Sequence, residues 1–133
     1  RHAERRLPPA IEPLVTFRSG DMLDTGLGDF DHVVAMDSLL YYDTADIAAA
    51  IAQLGRRTSG RIVFTVAPRT PLLMAMWRAG QLFPRSDRSP TMIPHAPAAL
   101  AKALDGQGAD GTLSTLQRVS SGFYISQALE YAA

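Results

Sequence analysis

Apolar residues fall into short runs whose spacing changes along the chain. Residues 14–17, LVTF, are β-branched and aromatic and are closed by the Ser19-Gly20-Asp21 turn, which predicts a strand. Residues 32–36, HVVAM, show no alternation, the pattern of a parallel strand covered on both faces. Residues 46–54 then carry apolar positions at helical spacing, with Thr44 placed to cap the helix and Gly55 to stop it. A third buried strand is predicted over 61–66, ending before Pro68. A helix with proline in its first turn follows over 71–82.

The stretch 83–97, FPRSDRSPTMIPHAP, holds four prolines among alternating charges and reads as an ordered but irregular loop. A short Ala/Leu helix over 98–104 and a turn-rich DGQGADG lead to two strands, 113–119 and 123–129, joined across SSG as an antiparallel hairpin at the sheet edge. Strand and helix alternate until that hairpin. This predicts a three-layer α/β domain with ligands at the carboxyl ends of its parallel strands. Asp37 and Ser38 close the second run, and Gly20-Asp21-Met22 lies just beyond the first, so both face one crevice.

With 133 residues, 47% of them hydrophobic, the chain can bury one core and is too short for two ordinary domains. Thirteen basic residues balance thirteen acidic ones, which removes the broad electrostatic drive toward nucleic acid or an anionic membrane. No cysteine is present, so disulfides and thiolate metal sites are excluded and a reducing cytoplasm is permitted. No window reaches the roughly 18 apolar residues of a membrane span. The opening RHAERRLPPAIEP lacks a signal-peptide core and an initiator Met; with Arg5 and Arg6 suited to a helix C-terminus, it reads as the last turn of a helix in a longer chain. His2, His32 and His95 have no ligand spacing, so no protein-held metal is expected. Hydrolase and nucleotide-hydrolysing readings find no glycine-flanked serine and no phosphate-cradling loop.

The segments SGDML, FDHVVAMDSLLYY, RIVFTVAPRTPLLMAMWRAGQLFPRSDRSPTMIPH and VSSGFYISQALE together resemble the C-terminal part of the magnesium-protoporphyrin IX O-methyltransferase family of bacteriochlorophyll synthesis. The first two are general to S-adenosylmethionine-dependent methyltransferases, whereas APRTP, FPRSDRSP and SSGFYISQ are particular to this family. The resemblance implies a Rossmann-like class I methyltransferase fold, N-terminally truncated, with a C-terminal antiparallel hairpin. Residues 1–133 would be the C-terminal part of one domain, and 68–97 its substrate-side helix and loop. The expected sheet order sets 32–36 beside 61–66, then the last strand, then the one before it. Residues 14–17 should be detached or wrongly paired, and 32–36 should present an exposed apolar edge.

The implied reaction moves a methyl group from S-adenosylmethionine to a propionate of Mg-protoporphyrin IX, with Mg²⁺ present only as part of the substrate. By resemblance, Asp21 accepts a hydrogen bond from the adenine amino group, the Met22 amide reads the ring, and Met36, Asp37 and Ser38 line the methionine end. On the residues alone, Asp21 also reads as a solvated turn aspartate and Asp37 as a cap or turn residue. The glycine-rich loop and the ribose-binding acid of the family are not in this sequence, so the chain alone is expected to bind S-adenosylmethionine negligibly.

Relatives commonly read LIHY where this chain reads LLYY, so Tyr41 stands in place of a candidate catalytic histidine and a histidine-base mechanism does not carry over. A propionate of pKa ~4 is already ionised near neutrality, and the task is to align oxygen, methyl carbon and sulfur. Tyr41 therefore reads as an orienting hydroxyl or as an aromatic wedge between strand and helix, and Tyr42 as packing. Met74, Met76, Trp77, Leu82 and Phe83 read as an apolar wall for the macrocycle or as core. Arg69, Arg85 and Arg88 read as propionate partners, loop clasps or solvated surface, and His95 as an axial ligand to the substrate's Mg²⁺ or a backbone-bonded loop histidine. The family's pathway implies contact with the magnesium-inserting chelatase and a cytoplasmic location, peripheral to photosynthetic membranes. The alternatives are another small-molecule methyltransferase and a non-catalytic porphyrin-binding or partner-docking module.

Overall fold

The run RIVFTVAP carries the centre of the sheet. In the computed structural model, which describes residues 2–68, 74–75, 78–79, 93–121 and 124–132, it forms β2, Arg61–Pro68. β1, Val33–Ala35, pairs with it in parallel, Ala35 beside Phe64. On its other side lies β5, Tyr124–Ala132, antiparallel, with β4, Thr112–Ser121, beyond. The order β1-β2-β5-β4 is the one expected from the resemblance. A two-residue β3, Pro94–His95, pairs in parallel with Ala67 and Pro68 at the carboxyl end of β2.

Alternate residues of β2, Ile62, Phe64 and Val66, are at most 1% exposed and share one buried cluster with two helices. α1, Thr44–Gly55, contributes Ile47, Ile51 and Leu54, one stripe at helical spacing, and α2, Pro97–Gly106, contributes Leu100 and Leu104. Tyr131 of β5 closes the far end of this cluster, its hydroxyl accepting a hydrogen bond from the Gly111 amide at 3.0 Å. Gly55 owes its identity to that ring. A Cβ there would meet Tyr131 Cε1 at 2.9 Å, and the helix ends through Arg56 in ordinary right-handed geometry, so the expected glycine stop is a packing glycine.

Several expectations are corrected. Residues 14–17 form no strand: Leu14 ends a 3₁₀ turn, Glu12–Leu14, at 82% exposure, and nothing described pairs with the residues after it. A strand exists only where a neighbour takes its amides and carbonyls, so the run is detached, as the resemblance implied. β1 is covered on one face only, since Val34 and Met36 are 67% and 69% exposed. The N-terminal helix turn is one 3₁₀ turn, Glu4–Arg6.

The cap of α1 is Asp43, whose carboxylate accepts the Asp46 amide at 2.8 Å, while Thr44 is the first helical residue. Of the helix predicted over 71–82, residues 74, 75, 78 and 79 are described and are helical; 83–92 lie outside the described residues. The hairpin forms with longer strands than predicted and an irregular register between Thr115 and Arg118. No helix among the described residues is long and apolar enough to cross a membrane.

The cap supplies a direct check. Asp43→Ala should lower unfolding stability by about 1 kcal/mol and Asp43→Asn by a few tenths, because asparagine keeps the accepting oxygen. Urea unfolding followed by circular dichroism reads the difference.

Candidate functional site

At the end of β1 the chain enters left-handed geometry at a residue that is not glycine: Asp37 has φ 51°. Such a residue costs about 1–2 kcal/mol, and persists where its surroundings hold it. Thr65 of β2 does so. Its hydroxyl accepts the Asp37 amide at 2.8 Å and donates to Asp37 Oδ1 at 3.2 Å. A hydrogen bond contributes about 1 kcal/mol and one to a carboxylate rather more, enough together to offset the strain. Ser38 Oγ donates to the Met36 carbonyl at 3.0 Å, closing the turn.

The next four residues divide cleanly. Leu39 and Leu40 are 1% and 5% exposed, whereas Tyr41 and Tyr42 are 46% and 49% exposed. The wedge between strand and helix is thus the leucine pair, and both tyrosine rings stand outside the core, which corrects the wedge reading of Tyr41.

Gly20, at φ 143°, turns the chain into Asp21 through geometry that only glycine adopts freely. Asp21 Oδ1 accepts the Leu23 amide at 2.9 Å, an Asx-type turn that fixes its carboxylate. A cleft of about 340 Å³ lies below, lined by Asp21, Met22 and Leu23 on one side, Leu39 and Tyr42 from the turn after β1, and Asp46, Ala49, Ala50 and Gln53 along α1. The structure thus joins Asp21 and Met22 to the turn after β1. Met36, Asp37, Ser38 and Tyr41 lie along that same turn but do not line this cleft.

Three contributors, Thr65, Gln53 and Asp46, escaped sequence reasoning, and a fourth, Tyr42, was assigned to packing. Thr65 was detectable as a hydroxyl inside an otherwise apolar run. Gln53 and Asp46 sit on the face of α1 opposite its apolar stripe, where a polar residue gives no signal of its own. Tyr42, read as packing, lines the cleft.

His95 is 1% exposed, and its Nδ1 lies 3.1 Å from Thr44 Oγ1, at the start of α1. An axial contact with a ligand's metal needs an open ring nitrogen, so that role would require β3 to move. The Ile93 amide donates to the Leu40 carbonyl at 2.9 Å, so the chain entering β3 is fastened to the turn after β1. Arg69, Trp77, Arg85 and Arg88, with Met76, Leu82 and Phe83, lie outside the described residues; Met74 is half-buried. Among the described residues no three His, Asp or Glu side chains gather as metal ligands.

Residues 35–133 match the family model for the C-terminus of magnesium-protoporphyrin IX methyltransferase. A magnesium-protoporphyrin O-methyltransferase of Rhodobacter capsulatus is 54% identical over 129 residues, 97% of this chain and 55% of the relative. One from Synechocystis is 30% identical over 115 residues, 86% of this chain and 49% of the relative. The chain thus spans about half the length of these relatives. A crystal structure of the Synechocystis PCC 6803 magnesium protoporphyrin IX methyltransferase with bound SAH superposes with a TM-score of 0.68 at 30% identity, over 88% of this chain and 50% of that one. A second, with bound SAM, gives 0.62 at 24% identity and supports the fold. The sheet order, the C-terminal hairpin and the extent of the matched residues agree: the chain belongs to the magnesium-protoporphyrin IX methyltransferase C-terminal family.

Proposed function

We propose that this chain is the C-terminal part of an S-adenosylmethionine-dependent O-methyltransferase that esterifies one propionate of Mg-protoporphyrin IX to the monomethyl ester, in (bacterio)chlorophyll synthesis. The observation that carries the reading is the cleft shared by the Gly-Asp turn and the turn after β1. Its volume suits a flat heterocycle. Met22, Leu39, Ala49 and Ala50 offer apolar walls, and Asp21 offers a fixed acceptor for an amino edge. The residues present therefore fit the adenosyl end of the methyl donor, and those after β1, Met36 to Ser38, would hold its methionine end. S-adenosylmethionine supplies the transferable methyl group as a sulfonium.

What this chain's residues do follows from the charge of the acceptor. A propionate ionised near neutrality needs no base, so Tyr41, half out in solvent beside the turn, acts by orienting the carboxylate oxygen. Arg69, Arg85 and Arg88 supply guanidinium partners for the propionates, and Trp77 an apolar surface for the ring. The same reading has the protein receive its apolar substrate from the chelatase that inserts Mg²⁺, at the surface of photosynthetic membranes or in the adjoining cytoplasm.

Methyl transfer to Mg-protoporphyrin IX by the complete methyltransferase, in which this sequence follows a glycine-rich strand-loop-helix, tests the reading. Transfer to other acceptors in its place would favour a different small-molecule methyltransferase, and porphyrin binding without any transfer a docking module. Calorimetry on the 133-residue chain should show no S-adenosylmethionine binding, and the extended chain should bind. Micromolar binding by the short chain would contradict this.

Tyr41→Phe in the complete enzyme should lower turnover modestly and leave the shape of the pH profile unchanged. A loss of several orders of magnitude with an altered profile would make Tyr41 more than an orienting group. Replacing Arg69, Arg85 or Arg88 by Ala should weaken porphyrin binding by roughly 1.5–3 kcal/mol where the arginine meets a propionate, and spare the methyl donor. Unchanged porphyrin affinity in all three variants removes them from the site.

A further inference from the structure

The loop that carries Asp21 and Met22 has no strand to hold it, yet it is fastened at four points to Gln53 in the last turn of α1 and to Arg57 just beyond it. Gln53 Nε2 donates to the Leu23 carbonyl at 3.3 Å. Arg57 Nη2 donates to the same carbonyl at 3.4 Å, and its Nη1 donates to the carbonyls of Asp24 at 2.9 Å and Gly28 at 3.3 Å. The guanidinium also lies over the Phe30 ring, 5.9 Å from its centroid, and the Phe30 amide donates to the Arg57 carbonyl at 2.7 Å. A planar fork of donors suits this fan of carbonyls, which a lysine ammonium on a flexible stem does not reproduce.

Leu23 is the link between that clamp and the site. Its carbonyl is held by Gln53 and Arg57, its side chain packs against the core, and its amide donates to Asp21 Oδ1 at 2.9 Å. A shift of the Leu23 peptide therefore turns the Asp21 carboxylate directly, and moves the Met22 amide with it. We propose that Arg57, with Gln53 beside it at the cleft wall, is a positioning residue that sets the adenine-reading turn, so that specificity for the 6-amino purine depends on a side chain just beyond the end of α1 that does not line the cleft. This rests on the reading of Asp21 and Met22 given above.

The test uses S-adenosylhomocysteine and its deaminated analogue S-inosylhomocysteine. Deamination exchanges the amino donor for a carbonyl and places a hydrogen on the neighbouring ring nitrogen, so both reading groups meet the wrong partner. Dissociation constants for the two are measured by calorimetry on the complete methyltransferase and its variants. The unaltered enzyme should prefer the adenine form, and Asp21→Ala should bring the ratio of the two constants close to one. Arg57→Ala and Arg57→Lys should lower the ratio by about tenfold, and Gln53→Ala by about threefold, the loss of one contact among several. In the Arg57 variants porphyrin affinity and kcat at saturating donor should stay within about twofold, since Arg57 does not line the cleft.

A merely structural role would lower the melting temperature and leave the ratio alone. If Arg57→Ala fails to fold, Arg57→Lys keeps a charge there without the planar fork and carries the same measurement. A ratio unchanged in the Gln53 and Arg57 variants, with the Asp21 variant flattened, overturns the clamp and leaves the adenine reading standing. A ratio that Asp21→Ala does not alter overturns the adenine reading, and the clamp falls with it.

Discussion

A hydroxyl inside an apolar strand must find a partner, and Thr65 finds Asp37. The two hydrogen bonds between them hold Asp37 at positive φ just past the end of β1. From that bend Leu39 and Leu40 enter the core and Tyr41 and Tyr42 leave it, and Asp43 arrives where it can cap α1. The direction of α1 then decides which of its faces meets the sheet and which carries Gln53 and, one turn on, Arg57. Without the Thr65 contact the left-handed residue would relax toward ordinary geometry, and everything from residue 38 to the loop at 21–28 would be re-aimed.

The parts of the fold legible in the sequence are those set by burial on strand and helix. The run at 61–68 and the stripe Ile47, Ile51, Leu54 bury one continuous surface, so composition and period locate them within a residue or two. The hairpin was legible for a related reason, since its antiparallel pairing is local. Residues 14–17 misled because strand propensity describes fit to a pleated surface, and this chain offers them none. The shortened β1 has the same cause on one side: HVVAM reads as doubly buried, yet Val34 and Met36 have no helix over them among the described residues.

The site divides along a different line. Asp21, Met22 and Asp37 could be named because they sit at turns after apolar runs. Their supports could not, because Thr65, Gln53 and Arg57 act across 28 to 34 positions in sequence. Asp43 taking the cap from Thr44 is the local version of this limit. Both residues can cap a helix, and the choice follows from Thr44 Oγ1 meeting His95, a contact 51 positions away.

That contact gives the turn after β1 two anchors besides the strand. Thr44 is bonded to the buried His95, and the Leu40 carbonyl takes the Ile93 amide, so both ends of the tyrosine pair are held by β3 and the chain entering it. Position 41 lies between these anchors with its side chain outside the core, and among the described residues no hydrogen bond that shapes the turn uses the Tyr41 ring or hydroxyl. An exchange of the side chain at position 41 changes what is exposed beside the turn while Leu39, Leu40 and Asp43 keep the backbone where it was. The fold therefore absorbs a change of side chain at Tyr41 at little energetic cost.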